Sequence, residues 1–297
     1  MLVPRIVLVT RPTEIEALVV MHGTLEQARF VLRSQGRGTD DLALRHERLK
    51  GAVATVMAAL PTAWRRVRLD RCELNRFVFE NDDVIVPIGP DGLVANVAKY
   101  LEGQPVVGVN PDPSSYEGVL VTHRAERVVK TIENVLQARA GFVERTMVEA
   151  RFDDGQRLLA LNEIYMGHVT HQSARYELSF GDSWERQSSS GIIVASGTGA
   201  TGWARSIDRE RGNVIPLPAP LDRRVAYFVR EAFPGSGFKV EHTGGLLDEA
   251  QHLIVRSEMN EGGVVFGDGI EDDRVDFGWG TTARVGVADE RLRLVAA

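Results

Sequence analysis

The 297-residue sequence predicts an α/β domain with an open, mostly parallel sheet, followed by a β-rich domain. Three observations carry that prediction. Before residue 142, short apolar runs alternate with stretches of helical spacing, the pattern of strands joined by crossover helices. Asp83-Val84-Ile85-Val86-Pro87-Ile88 is an almost unbroken apolar run, as a strand buried on both faces of a parallel sheet should be. After residue 142, apolar and polar positions alternate between closely spaced glycine turns: Gly262-Gly263, Gly267-Asp268-Gly269 and Gly278-Trp279-Gly280. The domains are therefore placed at 1–142 and 143–297, with the last residues able to pack back on the first domain.

In chain order, Met1 to Val9 is too short and interrupted for a signal peptide and reads as a first buried strand, with Ile6 to Thr10 its strand segment. Thr24 to Arg33 has helical spacing. Asp40-Asp41 can cap a long helix that Pro61 ends after Leu60. Leu93 to Leu101 reads as a helix, Pro105 to Val109 as a strand, Val119 to Val121 as a further strand, and Ala125 to Arg139 as a helix. In the second half, Arg175 to Phe180 before a Gly181-Asp182 turn, Ile192 to Ser196, and Leu253 to Arg256 read as strands, and Pro216 to Pro220 as a loop.

Composition narrows the function. The formal net charge is −6, a poor match to phosphate-rich nucleic acid. Cys72 is the single cysteine, so no internal disulfide and no cysteine-rich metal site can form. No apolar run approaches the ~20 residues of a membrane helix. The cytoplasm is the expected compartment, with neither nucleic acid nor membrane as a partner.

Four segments can carry chemistry. Gly89-Pro90-Asp91-Gly92 follows the buried strand and precedes a helix, where open α/β sheets bind ligands and helix N-termini attract phosphate. Asp91 there can take a proton from a hydroxyl or hold magnesium, or cap the helix. Gly197-Thr198-Gly199-Ala200-Thr201-Gly202 matches G-x-G-x-x-G, but its β-rich setting and lack of a βαβ unit argue against a Rossmann site. Leu161-Asn162-Glu163-Ile164 reads locally as a surface pair near a turn. Phe266-Gly267-Asp268-Gly269 reads as a hairpin turn. His168 and His171 lack the further ligands of a zinc site.

Taken together and in this order, these segments resemble the NAD kinase family. Gly89-Pro90-Asp91-Gly92 is similar to its G-G-D-G motif. Gly108-Val109-Asn110-Pro111-Asp112-Pro113, with Glu117-Gly118, is similar to the G-V-N stretch of mitochondrial-type members. Leu161-Asn162-Glu163 resembles the N-E/D motif, Ser188 to Trp203 the segment ending T-G-T-G-S-x-A-W, and Phe266 to Gly269 the late D-G motif. The resemblance implies an NAD kinase-like fold, an α/β domain with an open mostly parallel sheet and an all-β, sandwich-like domain, with the active site between them. It implies transfer of a phosphoryl group from ATP or polyphosphate, with Mg²⁺, to the 2′-hydroxyl of the adenosine ribose of NAD. Asp91 would be the base or orienting carboxylate. Gly89, Gly92, Asn110, Asn162, Glu163, Thr198, Gly199, Thr201 and Trp203 would bind substrate or nucleotide, no residue is assigned to metal, and a homodimer is expected. Pro90 and Leu93 depart from the family pattern, replacing a Gly and a Thr. A non-catalytic NAD- or NADP-binding relative and a kinase on another hydroxyl-bearing small molecule are the alternatives.

Overall fold

A computed structural model describes residues 4–36, 38, 40–181 and 183–297. Its contacts divide the chain into unit 1, Met1–Val143 with Arg293–Ala297, and unit 2, Glu144–Leu292.

Unit 1 is an α/β unit. Its sheet is built from β1 (Arg5–Thr10), β2 (Arg65–Asp70), β3 (Val84–Pro87) and β4 (Pro105–Val106), with the chain's last residues added beside β4. The order is β2-β1-β3-β4 and every pairing is parallel. The helices are α1 (Glu14–His22), α2 (Leu25–Ser34), α3 (Asp40–Ala59), α4 (Asp91–Ala98) and α5 (Val128–Leu136). Ile6 and Leu8 of β1 and Val84 and Val86 of β3 share one core with Val53 and Val56 of α3 and Ile132 of α5. The intervening residues Val7, Val9 and Ile85 are equally buried, which explains the unbroken apolar runs.

Several elements differ from the sequence reading. Met1, Leu2, Val3 and Asp182 lie outside the described residues. Asp40 and Asp41 stand in the first turn of α3. The helix after β3 begins at Asp91 rather than Leu93 and ends at Ala98. The strand after it shrinks to two residues, and Ala125–Arg127 is a 3-10 turn ahead of α5. Val119 to Val121 is not a strand, because its amides bond a side chain instead of a neighbouring strand. The elements α1 and β2 were not anticipated.

Unit 2 is all-β apart from one helix. Its strands are β5 (Phe142–Phe152), β6 (Arg157–Ala160), β7 (Glu163–His168), β8 (Ala174–Phe180), β9 (Ser183–Ser189), β10 (Ile192–Ser196), β11 (Arg224–Val229), β12 (Gly244–Asp248), β13 (His252–Ser257), β14 (Gly263–Gly267), β15 (Ile270–Asp276) and β16 (Thr282–Val295), with α6 (Trp203–Glu210) after β10. An antiparallel six-stranded sheet runs β12-β11-β10-β7-β14-β15, and β16-β13-β8-β9, with β5 on β16 and β6 on β5, make up this unit's part of the second sheet. Ile164, Val194 and Tyr227 of the first sheet meet Tyr176, Val255 and Val285 of the second in one core, which is the sandwich. On the opposite face of β10, Ile193 and Ala195 pack under Ala204 and Ile207 of α6. Both faces of β10 are thus covered, and its sequence Ile-Ile-Val-Ala is apolar throughout although its pairing is antiparallel.

Candidate active site

The anticipated site residues fall into two groups, one in each unit. In unit 1, β3 delivers Gly89 to the carboxyl edge of the parallel sheet, where its N–H donates to Val109 O at 3.1 Å. Pro90 occupies the N-cap of α4 with φ −77° and ψ 166°, and no side chain caps that helix. This φ is one a proline ring favours, so the backbone here asks for no left-handed residue. Asp91 does not cap α4. Its Oδ1 accepts the backbone N–H of Val119 at 3.1 Å, Leu120 at 2.7 Å and Val121 at 3.0 Å, and its Oδ2 accepts Val119 alone at 2.9 Å. The carboxylate is half-buried and locked in one orientation, with a lone pair of Oδ2 still open. Gly92 has open space where a Cβ would stand.

The segment 110–118 wraps that loop. Asn110 is 4% exposed. Its Nδ2 donates to the carbonyls of Tyr116 and Glu117, and its Oδ1 accepts Asp112 N–H. The carboxamide is therefore spent on folding its own loop. Tyr116 donates to Gly89 O at 3.3 Å, and burial with the charges of Asp91 and Asp112 pushes its phenol up to about 12. Burial pushes the Asp112 carboxyl up, but hydrogen bonds from Arg48, Ser115 and Ser114 outweigh it and hold the group at about 2.

In unit 2, three loops converge. The β14–β15 hairpin turns through Asp268 and Gly269, with φ of 54° and 67°. Two successive positive φ values are the demand of a type I′ turn, which Asp-Gly meets. The Asp268 carboxylate accepts the N–H groups of Leu161 at 2.8 Å, Asn162 at 2.6 Å and Glu163 at 3.3 Å, and Asp268 N–H donates back to Glu163 O. The loop after β10 seals the corner. Ser196 N–H donates to Asn162 O, its hydroxyl donates to Leu161 O, and that same hydroxyl accepts the N–H groups of Thr198 and Gly199. At Gly199 a Cβ would lie 2.2 Å from Asn162 O, so glycine is required by the closeness of two backbones. Arg145 donates to the Thr198 hydroxyl at 3.4 Å.

This geometry brings Asn162, Glu163, Thr198 and Gly199 together. Asn162 ends the turn and Glu163 begins β7, so the strand alternation that would part them does not apply. Neither side-chain head group takes a hydrogen bond among the described residues. Burial first, and the charge of Asp268 second, push the Glu163 carboxyl up to about 7. A carboxylate with two oxygens can accept both hydroxyls of a vicinal diol, and a carboxamide beside it can both donate and accept. Thr201 and Trp203 lie at the rim. Trp203, 39% exposed, stacks on Tyr165 with ring centroids 6.2 Å apart, and the Arg230 guanidinium lies 4.9 Å from its ring. The Tyr165 ring leaves no space for a Cβ at Gly167 or Gly191.

Sequence reasoning missed the clamping role of Asp268, and it missed Arg145, Tyr165 and Arg230. For Asp268 a signal existed in the hairpin turn. The three others have none in local sequence. Among the described residues, Glu80, Asp82 and Asp83 are grouped as metal ligands are, but Asp83 is fully buried and bound bidentately by Arg5. No helix among the described residues is long and apolar enough to cross a membrane.

No protein-family model matches the chain. Among curated proteins, NAD kinase 2, mitochondrial, of Rattus norvegicus is 27% identical over 246 residues, covering 67% of this chain and 58% of the relative. The same-named protein of Homo sapiens is 27% identical over 231 residues, covering 62% and 52%. An NAD kinase of Caldicellulosiruptor saccharolyticus is 30% identical over 125 residues, covering 41% and 46%. The matches thus span about half the length of these relatives. Among solved structures, an NAD kinase from Archaeoglobus fulgidus in complex with ATP superposes with a TM-score of 0.57 at 17% identity, over 98% of this chain and 93% of that one. Yeast NADH kinase complexed with NADH gives a TM-score of 0.57 at 15% identity, over 99% and 84%. Five motifs in family order, relatives of that name and the fold of solved members make the chain similar to the NAD kinases and support that family.

Proposed function

We propose that the protein is an NAD kinase that phosphorylates the 2′-hydroxyl of the adenosine ribose of NAD, with ATP or polyphosphate as donor, to give NADP. The observation that carries this reading is the Asn162–Glu163 pair. Its head groups take no hydrogen bond among the described residues, its backbone is fixed by Asp268, and its chemistry suits a ribose diol. In unit 1, Asp91 supplies the carboxylate that the transfer needs.

In this reading Glu163 accepts the ribose 3′-hydroxyl and Asn162 donates to a ribose oxygen, so the 2′-hydroxyl proton is left for the transfer, and Thr198, Gly199, Thr201 and Trp203 line the nucleotide's path. Gly89 and Gly92 let the loop approach phosphate closely. The open lone pair of Asp91 Oδ2 accepts the proton of the 2′-hydroxyl as that oxygen bonds to the terminal phosphorus. The bond from this phosphorus to the bridging oxygen breaks, and its electron pair leaves with ADP or the shortened polyphosphate. Positioning supplies most of the acceleration in such transfers. A Mg²⁺ carried on the donor's phosphates needs little more from a protein than a carboxylate reached through water. The ion would offset the charge on the leaving oxygens, and no side chain is assigned to hold it, since the open lone pair of Asp91 takes the proton. Residue 110 is assigned to folding the loop beside this carboxylate. The exposed single thiol, Cys72, suits a reducing compartment such as the cytoplasm. A homodimer completes the reading, and sedimentation of the pure protein tests it.

The decisive experiment mixes pure protein with NAD, Mg²⁺ and either ATP or polyphosphate, and measures NADP. Formation of NADP supports the reading. Binding of NAD without NADP from any donor would leave a non-catalytic nucleotide binder. Phosphorylation of a different alcohol alone would redirect the assignment.

A further inference from the structure

A cavity of about 340 Å³ lies in unit 1 between the segment that starts at Thr122, the C-terminal end of α5 and the end of β16. Its walls are fastened to one another. His123 is buried, its backbone N–H donates to Gly108 O, and its Nε2 meets Val295 O at 3.1 Å, which pins the end of β16. Ala296 N–H donates to Gly141 O at 2.9 Å and ties the chain after α5 to the same strand. Between these two points α5 ends in a reversal. Asn134 O accepts the N–H groups of both Arg139 and Ala140, at 2.8 Å and 3.2 Å, and the chain turns through Ala138 at φ 54°. Glycine is the ordinary residue in that left-handed conformation, and alanine adopts it only under constraint. The reversal makes Arg139 line the same cavity as Arg124 and Arg127.

The charge here is one-sided. Arg124, Arg127 and Arg139 are exposed, and their guanidinium groups make no hydrogen bond or ion pair among the described residues. No Asp or Glu side chain lines the cavity, and Glu126 and Glu133 of the same elements stand outside its lining. Elsewhere in this chain of net charge −6 many arginines sit in ion pairs, as Arg5, Arg48, Arg157 and Arg186 do. Three like charges gathered around one concavity repel one another, and a bound anion relieves the repulsion. The rest of the lining narrows the class of anion. Thr122, Thr131 and Asn134 offer hydroxyls and a carboxamide, and the Thr131 hydroxyl, which donates to Arg127 O, keeps its lone pairs for a ligand. No Phe, Tyr or Trp lines the cavity, so a nucleotide base finds no ring to stack on.

We propose that this cavity binds a compact, base-free molecule carrying two phosphate groups, a sugar bisphosphate or inorganic diphosphate, with Arg124, Arg127 and Arg139 holding the phosphates. A guanidinium meets phosphate oxygens with paired hydrogen bonds, and three of them suffice for two phosphates. The site lies apart from the residues of the kinase reading and does not depend on it.

Titration calorimetry at constant ionic strength tests it, with fructose bisphosphate, inorganic pyrophosphate and ADP as probes. The proteins are the wild type, Arg127→Ala and the double variant Arg124→Ala/Arg139→Ala. The wild type should bind the bisphosphate, Arg127→Ala should bind it roughly tenfold or more weakly, and the double variant should lose it. Melting temperatures without ligand should stay together, because all three side chains are exposed and unpaired. ADP affinity should be the same in all three proteins. Arginine-dependent binding that is tighter for fructose bisphosphate than for pyrophosphate assigns the hydroxyls and carboxamide of the lining to a sugar. Equal binding assigns the site to the diphosphate itself, and either result supports it. No binding of both phosphate ligands to the wild type, or affinities unmoved in both variants, overturns the proposal. ADP weakened in parallel with the bisphosphate overturns it as well, by making the cavity a nucleotide site.

Discussion

Asp268 accepts the backbone N–H of Asn162 at 2.6 Å across 106 residues of sequence, and with it the N–H groups of Leu161 and Glu163. A hairpin turn thereby sets the backbone that presents Asn162 and Glu163. Asp268→Ala leaves these amides without their acceptor and should cost about 2 kcal/mol in urea denaturation. Asp268→Asn keeps one acceptor oxygen and costs less. It also removes a negative charge beside Glu163, so the Glu163 carboxyl should titrate below its present value of about 7. A Glu163 titration unmoved in Asp268→Asn would contradict the coupling.

The Glu163 carboxyl stands at about 7 against 4.5 for the free group. The native state therefore holds this proton more tightly than the unfolded chain. The group's contribution is fully present below pH 4.5 and is lost as pH rises through 7, at a cost on the order of 3 kcal/mol above that. Glu163→Gln should remove the loss, making the variant more stable than the wild type at pH 8 and little different at pH 5. Parallel stability profiles from pH 5 to 8 would refute this. In the proposed reaction, NAD binding should strengthen as Glu163 ionises through neutrality.

Two glycines separate packing from chemistry. Gly199→Ala places a methyl 2.2 Å from Asn162 O, backbone against backbone, and should lower stability by about 2–3 kcal/mol. Gly92→Ala meets nothing within 4 Å and lies inside α4, so it should raise stability by up to about 1 kcal/mol. Melting temperatures of the two variants moving together would contradict the local geometry.

Asp91→Asn should lower turnover by about 10²-fold or more while the melting temperature stays close to wild type, because one amide-accepting oxygen is kept. Asp91→Ala should lower both, since three amides at residues 119–121 lose their acceptor. Full activity in Asp91→Asn would remove Asp91 from the chemistry.

What could be read from sequence was what repeats locally. The strands β1, β3 and β10 announce themselves as apolar runs, and the Asp268-Gly269 turn by its dipeptide. The edge strand β2, Arg-Arg-Val-Arg-Leu-Asp, buries little beyond Leu69 and carries no apolar pattern to find. In α1, no residue is buried, so its apolar positions mark no face. Val119 to Val121 has the composition of a strand, and only the distant carboxylate of Asp91 explains why it is not one. The motif residues were legible as a set because five short patterns stand in one order. The bonds from Asp91 and Asp268 to amides about 30 and 106 residues away were not, since no local window contains both ends.

Pro90 has a consequence for how a guest is received. A pyrrolidine ring already resting at its natural torsion has few alternatives to surrender, either on folding or on ligand arrival. The lip of this loop is thus shaped in advance at Pro90, and α4 sets out from a fixed point.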